Sequence, residues 1–298
     1  MEGQAGRAGT AHETTDLGDR PQVAAFFDSW AGFWRDVYDQ DDLNGVIYRD
    51  RHEVALRWID QLGQDGPARS LDVGCGAGLL TAALAMRGRP VVAVDPSPSM
   101  LTLTRERMGT QRIEAPVSFA VADAHDLGFL TSSFGLVTAL GVIPWLHDPV
   151  RALEEVRRTL VPGGYVLATA DNRWRLSHLV DPRRAPYTER ARSALRGALQ
   201  RRRGLEPAPW SRERRYSPRQ VDRFFEQAGF EIVRRASVGF GPLTLLDRNL
   251  LSERKGQAVH AWLQRRAGTG ARPLAGLLRS LGNHYVVLAR APASARAG

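Results

Sequence analysis

The stretch Ser70-Leu71-Asp72-Val73-Gly74-Cys75-Gly76-Ala77-Gly78-Leu79-Leu80 constrains this chain more than any other. It reads as a short apolar strand, a turn with glycine at every second position, and the start of an apolar helix. Glycine has no Cβ to hold a ligand off the main chain and enters the positive-φ region freely, so a ligand can lie directly on such a turn. The spacing is G-x-G-x-G with an acid two residues ahead; the dinucleotide-binding turn is G-x-G-x-x-G and would need glycine at Leu79. Pyrophosphate prefers bare N–H groups at a helix start, whereas Asp72 would repel phosphate and attract an ammonium group. The turn therefore points to a nucleoside ligand that carries positive charge.

Further segments follow in order. Residues 91–95 form a second apolar strand ending in Asp95, an acid able to accept both hydroxyls of a ribose. Pro96-Ser97-Pro98-Ser99-Met100-Leu101 then starts a helix, with serine and proline as entry signals. Residues 117–121 make a third strand, followed by Asp123-Ala124, and residues 136–140 a fourth. The fourth leads into Gly141-Val142-Ile143-Pro144-Trp145-Leu146-His147-Asp148-Pro149, whose last two residues open a helix over 150–160. A turn at 160–165 precedes a fifth strand at 166–170.

Taken together, these segments resemble the class I methyltransferases that use S-adenosylmethionine, residues 71–78 standing for the family's first motif. The resemblance implies an α/β fold, Rossmann-like, with a seven-stranded mostly parallel sheet and helices on both faces. It also implies S-adenosylmethionine as methyl donor, held by Asp72, Gly74, Cys75, Gly76 and Gly78 at the turn and by Asp95, Pro96 and Met100 near the ribose. Asp123 and Ala124 would lie near the adenine amino group, and Leu140 at the end of the fourth strand. One position departs from the pattern: Gly135 follows Phe134 where the family usually has aspartate, which touches local packing only.

Ahead of the first strand, residues 21–66 hold Phe26, Phe27, Trp30, Phe33, Trp34, Tyr38, Tyr48 and Trp58, with apolar residues at helical spacing over 54–62. This block resembles the N-terminal helices that cap the donor in small-molecule methyltransferases, including those acting on quinones and magnesium-porphyrins. That resemblance makes Tyr38 and Arg51 candidates to reach the donor's methionine part. After the fifth strand, residues 172–216 form an insertion broken by Asp181-Pro182 and Ala185-Pro186, with a helical stretch near 188–200. Ser217-Pro218 caps a helix over 221–228, a sixth strand covers 231–238 and a seventh 283–289. Between these two strands, a second insertion at 240–282 carries Leu243, Leu245, Leu246, Leu250, Leu251, Val259, Trp262 and Leu263. Both insertions are expected to form a lid near the methyl-donor end, and these apolar residues suggest an apolar acceptor. Residues 21–298 read as a single domain after a loose tail at 1–20.

The net charge is +9, and residues 172–219 contain 14 arginines against 4 acidic residues. Such a segment could attract RNA, acidic lipid or an anionic small molecule. Lys255 is the only lysine, however, so arginine is this chain's general basic residue and a solvated face is the simpler reading. The loop after the fourth strand, Gly141-Val142-Ile143-Pro144-Trp145, lacks the Asn/Asp-Pro-Pro-Tyr/Phe clamp of nucleic-acid amine methylation, which disfavours RNA; no DNA partner is expected. Peripheral membrane or lipid contact stays open. Cys75 is the only cysteine, so no internal disulfide forms and a cytoplasmic location is expected. Residues 1–20 lack the apolar core of a signal peptide, and no apolar run approaches the ~18 residues that span a bilayer. The histidines lack paired ligand spacing, so no metal is expected.

Methyl transfer from a sulfonium needs mainly alignment, which can supply about 7 to 11 kcal/mol of a barrier. A general base is optional. His147 is the first candidate because it follows the fourth strand, with His178 second and His284 behind it. The expected function is methylation of a small, partly apolar organic acceptor: a secondary metabolite, a quinone-like ring or a lipid-linked intermediate. RNA methylation through the arginine-rich insertion and cofactor binding without catalysis are the alternatives.

Overall fold

The computed structural model describes residues 20–62, 69–113, 115–202, 214–246, 248–268 and 273–293. Three helices come first: α1 (Arg20–Ser29), α2 (Ala31–Asp36) and α3 (Leu43–Asp60). The alternating half then runs β1 (Ser70–Val73), α4 (Leu79–Ala85), β2 (Val91–Asp95), α5 (Pro98–Thr110), β3 (Val117–Val121), β4 (Phe134–Ala139), α6 (Pro149–Thr159) and β5 (Leu160–Asp171). Beyond it lie α7 (Leu176–Val180), α8 (Glu189–Arg202), α9 (Pro218–Gln227) and β6 (Glu231–Val238). A small hairpin of β7 (Thr244–Leu245) and β8 (Arg248–Asn249), then α10 (Glu253–Gly268), α11 (Pro273–Leu278) and β9 (His284–Arg290), complete the chain.

Seven strands form one sheet in the order β3-β2-β1-β4-β5-β9-β6. β1 to β5 pair in parallel, and β9 runs antiparallel to both β5 and β6. This is the mostly parallel, Rossmann-like sheet expected. β1 and β2 are buried at every position, as strands covered by helices on both faces must be, which accounts for their unbroken apolar runs. Two core clusters lie on the sheet, one around Leu71, Val94, Phe134 and Phe225, the other around Ile59, Leu84, Leu136 and Leu167. Each fully buried leucine or phenylalanine contributes about 1.5–3 kcal/mol of transfer free energy.

The helix entries follow local rules. Ser97 accepts a bond from Met100 N with Pro98 in the first turn of α5, Asp148 accepts from Val150 N and Arg151 N ahead of Pro149, and Ser217 and Gln220 form a reciprocal capping box on α9. The fifth strand is longer than its apolar core suggested. Phe134 faces Leu160 and Leu136 faces Tyr165, so the Val161-Pro162-Gly163-Gly164 segment bulges out between two paired flanks.

The lid expected of the two insertions would have to close from outside the lining of the cleft. No described residue of 172–216 or 240–282 lines the central cleft. α10 packs instead on α3: His260 Nε2 lies 2.9 Å from Asp50 Oδ2, Gln257 donates to Asp41 O at 2.7 Å, and Glu253 accepts from Leu43 N. Of the apolar residues in the second insertion, Leu263 and Val259 pack in a small core with Phe240 and Leu278, while Leu245, Leu246, Leu250 and Trp262 are exposed. They form neither wall nor roof of the cleft, so the case for an apolar acceptor cannot rest on them. Part of the arginine charge is likewise engaged within the chain. Arg214 Nη1 donates to Leu146 O at 3.1 Å and His147 O at 2.8 Å, and Arg173 pairs with Glu189 at 2.7 Å.

Candidate functional site

Strand order reverses between β1, which runs on to β2, and β4, which runs on to β5; the cleft opens at the carboxyl ends of these strands, where open α/β sheets bind ligands. Thirteen of the sixteen residues singled out in the sequence line it: Tyr38, Arg51, Asp72, Gly74, Cys75, Gly76, Asp95, Pro96, Met100, Asp123, Ala124, Leu140 and His147. Gly78, His178 and His284 do not.

The glycine turn divides its labour. Gly76 has φ +55°, and a Cβ built there meets nothing within 4 Å, so this residue keeps the cleft floor open to a ligand. Gly78, at φ +78°, caps α4, and a Cβ there would lie 2.7 Å from Thr104 Cγ2. Its lack of a Cβ lets α4 pack closely against α5, a role that spacing alone does not reveal.

Two carboxylates flank the turn. Asp72 is buried and accepts from Thr81 Oγ1 at 2.6 Å and Thr138 Oγ1 at 2.8 Å; burial pushes its carboxyl up to about 6 despite those two bonds. Asp95 accepts from Gly76 N at 3.0 Å and Ser97 N at 2.9 Å, and burial likewise raises it to about 6 against the pull of those amides. Cys75 is buried and its thiol is pushed up by desolvation, so it does not act as a thiolate.

From the N-terminal block, α3 delivers Arg51, which is 5% exposed. Its Nη2 donates to Tyr38 Oη at 2.8 Å and its guanidinium lies 4.7 Å from the centre of the Tyr48 ring, while its buried Nε has no protein partner. His52 also lines the cleft, with Nε2 buried and unpartnered; burial drops its pKa to about 4, so it is neutral. The walls thus offer a cation, a neutral imidazole and two carboxylates around an open backbone turn. That donor set fits S-adenosylmethionine: Arg51 for the methionine carboxylate, Asp72 for the ammonium, Asp95 for the ribose hydroxyls.

His125, which the sequence reading does not single out, also lines this cleft. Asp123 Oδ1 accepts from His125 N at 2.8 Å and lies 2.7 Å from Nδ1, while Asp148 N approaches Nε2 at 3.4 Å, an arrangement that puts the ring proton on Nδ1. Its signal was local: a histidine two residues after an acid can close such a turn. The His147 ring stacks on it with centroids 3.8 Å apart. His147 therefore stands against the Asp123 turn within the lining of the cleft. His178 sits in α7, 6% exposed, held neutral at about 3 by burial and by Arg175, Arg215 and Arg184. α7 turns inward because Leu176 packs with Phe240 and its N–H binds Leu281 O at 2.8 Å, so His178 faces arginines and not the donor cleft.

A second cavity, about 210 Å³, adjoins the cleft and shares Trp34, Arg51, Gly141 and Trp145 with it. Phe26, Trp30, Phe33, Tyr48 and Pro144 supply its apolar walls and Asp171, at the end of β5, its carboxylate. Phe26 and Phe27 each pack on Trp145 with ring centroids 4.9 Å apart, and Asp28 binds the Ser97 hydroxyl, which fixes α1 over the cleft.

Residues 71–168 match the family model described as "Methyltransferase domain". Among curated proteins, the ubiquinone biosynthesis O-methyltransferase of Pseudomonas syringae pv. tomato is 28% identical over 158 residues, covering 52% of this chain and 64% of that protein. The demethylmenaquinone methyltransferase of Clavibacter sepedonicus is 41% identical over 156 residues, covering 51% and 59%. The chain thus spans less than two thirds of the length of these relatives. Among solved structures, the magnesium protoporphyrin IX methyltransferase of Synechocystis PCC 6803 with bound SAH superposes with a TM-score of 0.56 at 16% identity, over 91% of this chain and 99% of that one. By its sheet order, its glycine turn and the methyltransferase-domain model matched over its first five strands, this chain is similar to the class I S-adenosylmethionine-dependent methyltransferases, residues 71–168 carrying the match.

Proposed function

We propose that the protein transfers the methyl group of S-adenosylmethionine to a small organic acceptor that carries a ring and binds in the aromatic cavity. The observation that carries this reading is the shared wall: Trp34, Arg51, Gly141 and Trp145 border both the donor cleft and the cavity beside it. A cavity of about 150 Å³ holds a benzene ring, so about 210 Å³ admits a ring with substituents. When bound, the donor supplies an electrophilic methyl group; the acceptor atom bonds to the methyl carbon as the carbon–sulfur bond breaks and its electron pair stays on sulfur. The chain's own residues align the partners: Asp72 and Arg51 at the amino-acid end, Asp95 at the sugar, and the aromatic block excluding water. The names of the quinone-pathway relatives favour a quinone-like ring among acceptors of this size. A cytoplasmic setting goes with this reading, supported by a sequence with one cysteine.

Incubating the protein with methyl-labelled S-adenosylmethionine and small-molecule, lipid and RNA fractions of the source cells tests the reading. Label should appear in the small-molecule fraction and vanish with Asp95→Ala. Label confined to RNA would replace the acceptor class, and donor binding without transfer to any fraction would remove catalysis.

A further inference from the structure

The aromatic cavity has one acidic side chain, and its surroundings narrow what that side chain can bind. Asp171 ends β5; its Oδ1 lies 3.0 Å from His284 Nδ1, and its Oδ2 has no hydrogen-bond partner among the described residues. His284, at the facing position on β9, is 5% exposed. Burial keeps the imidazole neutral, so Nδ1–H donates and orients the carboxylate. Burial opposes ionisation of Asp171, but the His284 bond and the charges of Arg175 and Arg51 outweigh it and hold the carboxyl well below its ordinary range. Two N–H groups at the shared wall, Arg51 Nε and Trp34 Nε1, are buried without partners.

Resting on the reading above, we infer that Asp171, oriented by His284, accepts the hydrogen bond of a ring hydroxyl on the acceptor and makes that oxygen the atom methylated. An aromatic box with a carboxylate could equally suit an ammonium ion. The charge balance decides against it: Arg51 is already inside the box at 4.7 Å from the Tyr48 ring, and Arg175 and Arg215 add positive charge around Asp171. A second cation would be repelled, whereas a neutral hydroxyl that donates to the carboxylate is not. During transfer the oxygen bonds to the methyl carbon, the carbon–sulfur electrons remain on sulfur, and the hydroxyl proton, made strongly acidic as the oxygen is alkylated, passes to Asp171 Oδ2. Asp171 is thus a catalytic residue and His284 a positioning residue. The sequence held one clue: an acid at the carboxyl end of a central strand.

The test uses the full chain saturated with S-adenosylhomocysteine and three probes of one ring size: 1-naphthol, 1-methoxynaphthalene and protonated 1-(aminomethyl)naphthalene. Fluorescence titration should show 1-naphthol binding at least about tenfold more tightly than the other two, as a charge-assisted hydrogen bond requires. Asp171→Asn should cut the preference over the methyl ether about tenfold with donor binding unchanged by calorimetry. His284→Phe should do so in part and broaden the pH dependence of naphthol binding. Equal binding of naphthol and its ether by the wild type, preference for the ammonium probe, or an unchanged preference in Asp171→Asn would overturn the inference while leaving the donor reading intact. Should Asp171→Asn fail to fold, Asp171→Ser supplies the same comparison. Failure of the wild type to bind S-adenosylmethionine at all would overturn the underlying reading and this inference with it.

Discussion

Gly76 and Gly78 share a motif and a positive φ, yet the space around each differs, and this separates binding from stability. Gly76→Val fills open cleft at a cost of about 1–2 kcal/mol for a left-handed residue; calorimetry should find no donor binding in a protein that still melts cooperatively. Gly78→Ala forces a methyl onto Thr104 Cγ2 at 2.7 Å and the Thr104 Cα at 2.9 Å. It should cost about 1–3 kcal/mol and lower the melting temperature by a few degrees while donor affinity stays within a few-fold. The reverse pattern would mean the two roles are misassigned. Asp72 and Asp95 add a pH dependence with a definite sign. Both are raised from 3.8 to about 6, so in the empty protein their favourable contribution is present below the ordinary value and is lost as pH rises through 6 and they ionise. Donor binding needs the ionised forms. The dissociation constant of S-adenosylmethionine should therefore rise at least about tenfold from pH 7.5 to pH 5, and the donor's thermal stabilisation should shrink over the same window. An affinity flat from pH 5 to 7.5 would contradict the roles of both carboxylates.

Helix starts were legible in the sequence because a cap is a matter of three or four adjacent residues: Ser97-Pro98, Asp148-Pro149 and Ser217-Pro218 all open helices as read. The partner of an amphipathic helix is not local, and the sequence reading did not find it. α10 was expected over the donor, but its polar residues are matched to α3. His260 Nδ1 accepts from Phe240 N at 3.1 Å while Nε2 meets Asp50, so one fully buried ring ties the turn after β6 to the helix carrying Tyr48 and Arg51. Removing it strands two polar partners, each costing about 1–3 kcal/mol. His260→Ala should lower the melting temperature by several degrees, and S-adenosylmethionine should recover most of the loss by binding only the folded form. If the variant melts like the wild type, α10 does not brace α3.

Whole-molecule legibility follows the same division between local and distant. Asp72, Asp95 and Leu140 could be placed from chain order alone, since the carboxyl ends of parallel strands meet at one edge of the sheet. Asp171 and His284 lie 113 positions apart and meet only because β9 enters antiparallel beside β5, which no local pattern announces. The aromatic block was visible as composition, but its use as a wall between two cavities depends on α1 and α2 folding back onto α5, where Asp28 holds Ser97. The Ser97 bond, the Phe26 and Phe27 contacts with Trp145 and the Trp34–Tyr48 ring contact hold that fold-back, but α2 itself has no buried residue. Elements with few buried contacts open at low free energy, while Phe27, Trp34 and Tyr38 line the donor cleft directly. Ligand binding should close what the empty protein lets open. Amide exchange in residues 20–41 should slow at least about tenfold with saturating S-adenosylhomocysteine, while β1, β4 and β5, already buried, change little. Phe27→Ala should weaken the donor and abolish most of that protection together. Protection confined to the glycine turn, with α1 and α2 exchanging as before, would mean that the aromatic block is a fixed wall and not a cover that the donor draws shut.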